Sequence, residues 1–274
     1  MKRRNPNNRD NLHIKKQDRV VEIGSGHNPM FRSNVIVEKF VDNNYHRGGD
    51  IYIYPHQHFV NADGENLPFK DKEFDYAICN QVLEHVEHPE AFIREISRIA
   101  KRGYIETPSL IGEHLFPKKS HKWVILDIDG KLVMYEKKLL KENYENDYGR
   151  LFLNYLPYQS LVFKLLELTE KKLLNNCYEW EDDIEILVNP TDSYYRSFFT
   201  MPWTDEMIKK IFPPRSLRTE LQQTIKALFF IVKCKIKRVR KKRPISLTEY
   251  LKRHRDQYPD LYKLHESFST DNQE

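Results

Sequence analysis

The stretch Val20-Val21-Glu22-Ile23-Gly24-Ser25-Gly26-His27-Asn28-Pro29 constrains the fold more than any other part of the chain. Its apolar run reads as a short buried strand, and two glycines one residue apart follow at once. Glycine accepts positive φ and carries no side chain, so a turn built on it lets the backbone approach a ligand closely. In doubly wound α/β folds the junction after the first strand is where a nucleotide-like cofactor lies. Pro29 stands where a dinucleotide fingerprint needs its third glycine, and no G-x-x-x-x-G-K-[ST] loop is present. No pyrophosphate cradle is visible, which favours a cofactor that lacks one.

A strand–helix alternation continues from there. Val35 to Val37 reads as a second buried strand ending at Glu38, and Phe59 to Asp63 as a third running into an acid. Phe74 to Cys79 is a fourth, with Asn80 at its carboxyl end, where ligands bind in open α/β sheets. Val82 to Val86 reads as a short helical turn. Phe92, Ile93, Ile96, Ile99 and Ala100 then recur at helical spacing behind Pro89, and Tyr104 to Pro108 gives a fifth strand. The span from His27 to Ser33 is too short for a three-turn helix, so the first crossover is expected to be abbreviated. The order implies an α/β fold, a doubly wound, mainly parallel sheet with right-handed crossovers.

Beyond Ser109 the pattern loosens. Asp127-Ile128-Asp129-Gly130-Lys131 reads as a hairpin turn, Leu161 to Leu174 as a helix, and Trp180 to Val188 as an antiparallel strand added to the sheet edge. Thr204 caps a helix, and Pro213-Pro214 precedes a final helical region. The expected organisation is a basic flexible arm over 1–17 and a cofactor-binding domain over 18–203, followed by a helical basic extension over 204–266 and a disordered tail over 267–274. Within the domain, 18–109 is the cofactor core, and 110–203 supplies substrate and lid elements.

Of the 274 residues 31% are charged and 39% apolar, which fits a folded protein with a polar surface. The three cysteines, Cys79, Cys177 and Cys234, are far apart and in no C-x-x-C spacing, which argues against a disulfide framework or a zinc ribbon. His46, His56 and His58 lack partners at zinc-like spacing, so no metal ligand is assigned. The N-terminal stretch has no apolar signal core and no run of 18 apolar residues exists, which points to a cytoplasmic protein. Leu228 to Val232 runs into a basic stretch ending at Arg243. Its readings are a core helix with a solvated end, peripheral contact with an anionic membrane through 228–243, or nucleic-acid binding. Aromatic–basic interleaving is missing, which counts against nucleic acid.

Three blocks now stand in order: Glu22-Ile23-Gly24-Ser25-Gly26, Asn61-Ala62-Asp63-Gly64-Glu65-Asn66-Leu67-Pro68-Phe69, and Phe74-Asp75-Tyr76-Ala77-Ile78-Cys79-Asn80-Gln81-Val82-Leu83-Glu84-His85-Val86. Over residues 18 to 109 the chain resembles the class I S-adenosylmethionine-dependent methyltransferases, of the type 11-like kind. The resemblance implies a Rossmann-like methyltransferase fold and S-adenosyl-L-methionine as cofactor. It implies cofactor contacts at Glu22, Gly24, Ser25 and Gly26, and a ribose-binding carboxylate at Glu38, with Asp42 as runner-up. It also implies adenine recognition by Asp63 with the backbone of Gly64 and Glu65, an adenine-pocket wall at Leu67-Pro68-Phe69, and Asn80 and Gln81 facing the methionine portion or the substrate.

Methyl transfer from a sulfonium depends mainly on alignment, and a general base is needed only where the acceptor must lose a proton. His85 and His121 are the candidate bases. The expected acceptor is a small polar group on a small molecule, a glycan or a lipid-linked compound, methylated by in-line displacement. No Asn-Pro-Pro-Tyr signature follows the fourth strand, which counts against methylation of DNA adenine. The alternative is a catalytically inactive methyltransferase-fold scaffold that works through its basic C-terminal helix. Oligomeric state is not legible in the sequence.

Overall fold

The computed structural model describes residues 12–44, 49–140, 148–238 and 243–263, the side chains of 234–238 excepted. The cofactor core runs β1 (Val20–Ile23), β2 (Val35–Glu38), β3 (Tyr52–Ile53), β4 (His58–Asn61), β5 (Tyr76–Asn80), α1 (Pro89–Ile99) and β6 (Arg102–Pro108). After it come α2 (Leu110–Leu115), β7 (Trp123–Ile128), β8 (Lys131–Glu136), α3 (Lys137–Leu140), α4 (Leu156–Gln159) and α5 (Leu161–Thr169). The chain closes with β9 (Asn175–Glu181), β10 (Ile186–Val188), α6 (Ser193–Thr200), α7 (Asp205–Ile211), α8 (Leu217–Arg238), β11 (Ile245–Ser246) and α9 (Leu247–Arg253).

A six-stranded sheet in the order β4-β2-β1-β5-β6-β9 forms the centre. Its first five strands are parallel, and β9 pairs antiparallel along β6 from Arg102↔Glu181 to Pro108↔Asn175. The expected fold class is therefore observed, with one boundary moved. The antiparallel edge strand is Asn175–Glu181 rather than 180–188, because the backbone turns at Asp182 with φ 70°. Ile186–Val188 then leaves the sheet and pairs parallel with β8 in a separate three-stranded sheet, β10-β8-β7. The expected hairpin joins β7 and β8, with Asp129 at φ 52° and Gly130 at φ 85°, the two positive values a tight primed turn requires.

Successive residues of each strand serve opposite faces of the sheet. Val21, Ile23, Val35, Val37, Ala77, Cys79 and Ile105 pack against Phe92, Ile93, Ile96 and Ile99 of α1 and against one face of the small sheet. The small sheet's other face carries Val124, Leu126, Val133 and Tyr135 to Phe198, Phe199 and Ile211 of α6 and α7. On the far side of the main sheet, Val20, Tyr76, Ile78 and Tyr104 meet Leu12, Ile14 and Met30, while Ile36 and Phe59 meet Leu247, Tyr250 and Leu251.

The abbreviated first crossover is observed as a series of turns held by side chains. Asn34 accepts from the Val20 amide at 2.8 Å, and Arg32 donates to the carbonyls of Lys15, Lys16 and Asp18 at 2.9, 2.9 and 2.6 Å. Those bonds correct the flexible-arm expectation for its described part. Residues 12–17 are tied down, with the His13 amide also donating to Glu179 at 2.7 Å, whereas 1–11 lie outside the described residues. The C-terminal extension is corrected too. β11 pairs with β3 and α9 packs on Ile36, Ile53 and Phe59, so 245–253 belongs to the cofactor core's own packing. The reason is the short crossovers: among the described residues no helix between β1 and β4 covers the apolar face at the β2–β4 end of the sheet, where Val41, Ile51 and Ile53 are joined by Leu247, Tyr250 and Leu251. The tail over 267–274 lies outside the described residues.

Candidate active site: a glycine turn and a buried carboxylate–histidine cluster

The glycine turn is built by two buried carboxylates. Glu22, fully buried in β1, accepts from the Met30 amide and the Ser33 hydroxyl, both at 2.8 Å, and so draws the crossover over the strand end. Glu38, at the carboxyl end of β2, accepts from the Gly26 amide at 2.5 Å and the Ser25 hydroxyl at 3.1 Å. Gly24 and Gly26 take φ of 67° and 53°. A Cβ on Gly24 would come within 2.3 Å of Val82 Cγ2, so the turn after β5 packs directly on the glycine turn. Glu38 is the acid at the end of β2, the place expected of the ribose-binding carboxylate. Asp42, the runner-up, is exposed on the loop beyond, beside Asn43.

Asp63 lies just past β4 with its Oδ1 accepting from the Glu65 amide at 3.0 Å and its Oδ2 paired with Lys39 at 2.7 Å. Partial burial raises its pKa, but the Glu65 amide and Lys39 outweigh that and hold it below the ordinary value. Gly64 permits close packing: a Cβ there would meet the Phe92 ring at 2.5 Å. The Glu65 side chain turns away to accept from the amides of Glu87 and His88 at 2.8 and 3.0 Å. It thereby latches the adenine-side loop to the turn that follows β5. Leu67 packs in the core, and Phe69, half-buried against it, stands edge-on to Phe74 with centroids 4.9 Å apart.

Asn80 ends β5, and its Oδ1 is buried with no hydrogen-bond partner. An unmet acceptor at the carboxyl end of a central parallel strand fits a ligand that donates there. Gln81 follows in the left-handed region at φ 58°, its amide donating to Glu106 O at 2.8 Å and its side chain to Asn175 at 3.1 Å. A strained non-glycine residue at a strand end is a recurrent mark of functional sites.

The two candidate bases meet. The rings of His85 and His121 pack edge to face with centroids 4.7 Å apart. What brings 121 to 85 is the backbone of Glu84, whose carbonyl accepts from the amides of Lys122 and Trp123 at 2.8 and 3.1 Å. Trp123 Nε1 adds a bond to Val86 O at 2.8 Å. His121 Nδ1 lies 2.6 Å from Glu113 Oε2, and Glu113 is held in turn by Lys137. Burial drives the His121 ring toward its neutral form, against the pull of Glu113. Glu84, wholly buried, has its carboxyl pushed up to about 8, chiefly by desolvation. Neither of its side-chain oxygens finds a hydrogen-bond partner. Motif reading passes over Glu84, and its burial with unmet acceptors becomes visible only in the fold. Of the three histidines weighed for metal, His46 lies outside the described residues, and His56 bonds Phe31 O at 2.9 Å. Neither His56 nor His58 joins a ligand group among the described residues.

Residues 37–105 match the model of a methyltransferase domain family. The chain is 36% identical over 113 residues to the uncharacterised protein MJ1123 of Methanocaldococcus jannaschii, covering 41% of this chain and 45% of that one. It is 45% identical over 42 residues to norajmaline N-methyltransferase of Rauvolfia serpentina, 15% of this chain and 14% of that one. A Thermotoga maritima structure described as a possible histamine N-methyltransferase aligns at 26% identity over 38% of this chain and 49% of that one, with a TM-score of 0.26. The matches thus span less than half the length of these curated relatives. The family match covers residues 37–105, and the sheet order and the glycine turn fit a methyltransferase domain of the class I, S-adenosylmethionine-dependent type.

Proposed function

We propose that the protein transfers a methyl group from S-adenosylmethionine to a polar acceptor, foremost a hydroxyl, on a small molecule, glycan or lipid-linked compound. The observation that carries the reading is the Glu38 carboxylate, buried at the end of β2 and already holding the Gly26 amide and Ser25 hydroxyl. A carboxylate accepts only and can take two O–H donors at once, which suits a pair of ribose hydroxyls. Gly24 and Gly26 would admit the cofactor's backbone-proximal atoms, Asp63 would accept from the adenine amino group, and Asn80 would accept from the methionine end. The cofactor supplies a methyl carbon on a sulfonium, activated for displacement by an acceptor lone pair. The chain's share is alignment and exclusion of water. His85 and His121, whose ring centroids lie 4.7 Å apart after β5, are the groups that would receive a proton leaving a hydroxyl.

Calorimetric titration of the purified protein with S-adenosylmethionine, S-adenosylhomocysteine and NADH tests this. Saturable binding of the first two alone is expected. Absence of both would leave the scaffold alternative.

A second reading concerns location. No helix among the described residues is long and apolar enough to cross a membrane. Yet α8 exposes Leu221, Ile225, Leu228, Phe229 and Val232, the last two by 73% and 54%. The sequence then runs into the basic stretch ending at Arg243. We propose peripheral contact with anionic lipid through this helix. Co-sedimentation with phosphatidylglycerol vesicles but not phosphatidylcholine vesicles, weakened by Phe229→Glu, is the expected outcome.

A further inference from the structure

We propose that Glu84, His85 and His121 form a binding site for one divalent first-row transition-metal ion beside the cofactor pocket. One ligand atom from each of the three lies within 4.8 Å of the other two. Atoms that share a zinc ion at about 2.1 Å are on the order of 3.4 Å apart. The measured Glu84 Oε1 to His121 Nε2 separation of 3.9 Å is therefore within a small side-chain rotation of that value.

Three observations separate this cluster from an ordinary buried polar core. Both Glu84 oxygens and His121 Nε2 are buried without a hydrogen-bond partner, although such groups are costly to leave unpaired. Each ring is held by its other nitrogen. His121 Nδ1 faces Glu113 Oε2 at 2.6 Å, and His85 Nδ1 lies 2.9 Å from the carbonyl of Ser120. A carbonyl accepts only, so Nδ1 of His85 carries the proton and the lone pair sits on Nε2. Glu113 likewise fixes the His121 tautomer with its lone pair on Nε2. This is the arrangement by which carboxylates and carbonyls orient metal-bound histidines. The backbone completes the construction, since the amides of residues 122 and 123 grip the Glu84 carbonyl and set His121 over the turn.

Two imidazoles and one carboxylate suit zinc, iron(II), cobalt or manganese far better than magnesium or calcium, which prefer all-oxygen shells. Three protein ligands leave coordination positions open. Val82, two residues before Glu84, packs on Gly24, which sets the cluster next to the cofactor turn. Resting on the methyltransferase reading, this points to an acceptor that offers the ion an oxygen, a hydroxyl whose pKa the ion would lower.

The test uses the full chain, stripped with chelator and titrated with Co²⁺ by visible absorbance and with Zn²⁺ by calorimetry. One equivalent bound is expected, with Glu84→Gln and His121→Gln each weakening it at least ~100-fold, while S-adenosylmethionine affinity, measured in parallel, stays within about 3-fold. Failure of the wild type to bind either ion at micromolar concentration would overturn the site, as would binding that both variants retain. Should His121→Gln not fold, Glu84→Gln alone decides. Metal binding without cofactor binding would leave the site standing and sink the methyltransferase reading. Cofactor binding without metal would do the reverse.

Discussion

Two groups of buried acids flank the same pocket and behave oppositely. At the glycine turn, Glu22 and Glu38 accept bonds from the chain itself, from the amides of Met30 and Gly26 and the hydroxyls of Ser33 and Ser25. After β5, Glu84 is just as buried, and its carboxylate oxygens find no hydrogen-bond partner elsewhere among the described residues. The first pair is part of the scaffold, spending its lone pairs on holding backbone in place. The Glu84 carbonyl grips the chain at Lys122 and Trp123, but its carboxylate does not, and desolvation outweighs what its own amide and Lys118 return. A satisfied carboxylate organises a site, whereas an unsatisfied one marks where something else must arrive.

The comparison can be broken from either side. Gly24→Ala should have the largest effect. It forces an L-residue into φ 67° and drives a Cβ into Val82, costing about 1–2 kcal/mol of stability from the backbone alone. Cofactor affinity should fall more than ~100-fold, readable by calorimetry on the folded fraction. Glu38→Ala comes next. It removes a proposed ribose acceptor and orphans the Gly26 amide, so affinity should fall roughly 30-fold, the equivalent of about 2 kcal/mol. Near-normal binding would show that the acid serves only the turn. Glu113→Gln sharpens the other side. By loosening the His121 ring it should cut Co²⁺ affinity about 10-fold and leave cofactor affinity unchanged.

The smallest effect belongs to a control carboxylate far from both groups. Glu95 is held below its ordinary value by the bond from Arg98, aided by the Leu67 amide. Folded Glu95 stays ionised where the unfolded chain, with its value near 4.5, takes up a proton. Its stabilisation is therefore complete above that value and lost as pH falls through the folded one. Arg98→Ala should cost about 1 kcal/mol at neutral pH in urea unfolding, and the cost should shrink below pH 4.

Local signals were enough to read the parallel strands, α1 and the β7–β8 hairpin from the sequence. Each rests on residues close together: Val20 to Ile23, the Phe92/Ile93/Ile96/Ile99 stripe, and Asp129-Gly130. The pairing of β11 with β3 was not legible. Ile245 and Ser246 are two residues with no periodicity, and their partners lie almost 200 positions earlier. The destination of Ile186–Val188 was hidden for the same reason, because its alternation fits either sheet edge. In the site, Glu22, Gly24 and Gly26 stand in one contiguous motif, and Glu38 ends the next apolar run. The Glu84–His121 cluster was not legible, since sequence spacing gives no hint that a strand 40 residues downstream will be gripped by one carbonyl.

The late arrival of β11 and α9 has a consequence for biosynthesis. Leu247 donates its amide to Ile51 O at 2.9 Å, and the Tyr250 hydroxyl reaches Gln57 O at 2.9 Å. While the chain is emerging from the ribosome, Ile36 and Phe59 have Val41, Ile51 and Ile53 beside them but lack the cover of Leu247, Tyr250 and Leu251 until residues 245–253 have been made. The nascent cofactor core thus waits with one hydrophobic flank open, vulnerable to self-association throughout the synthesis of everything in between.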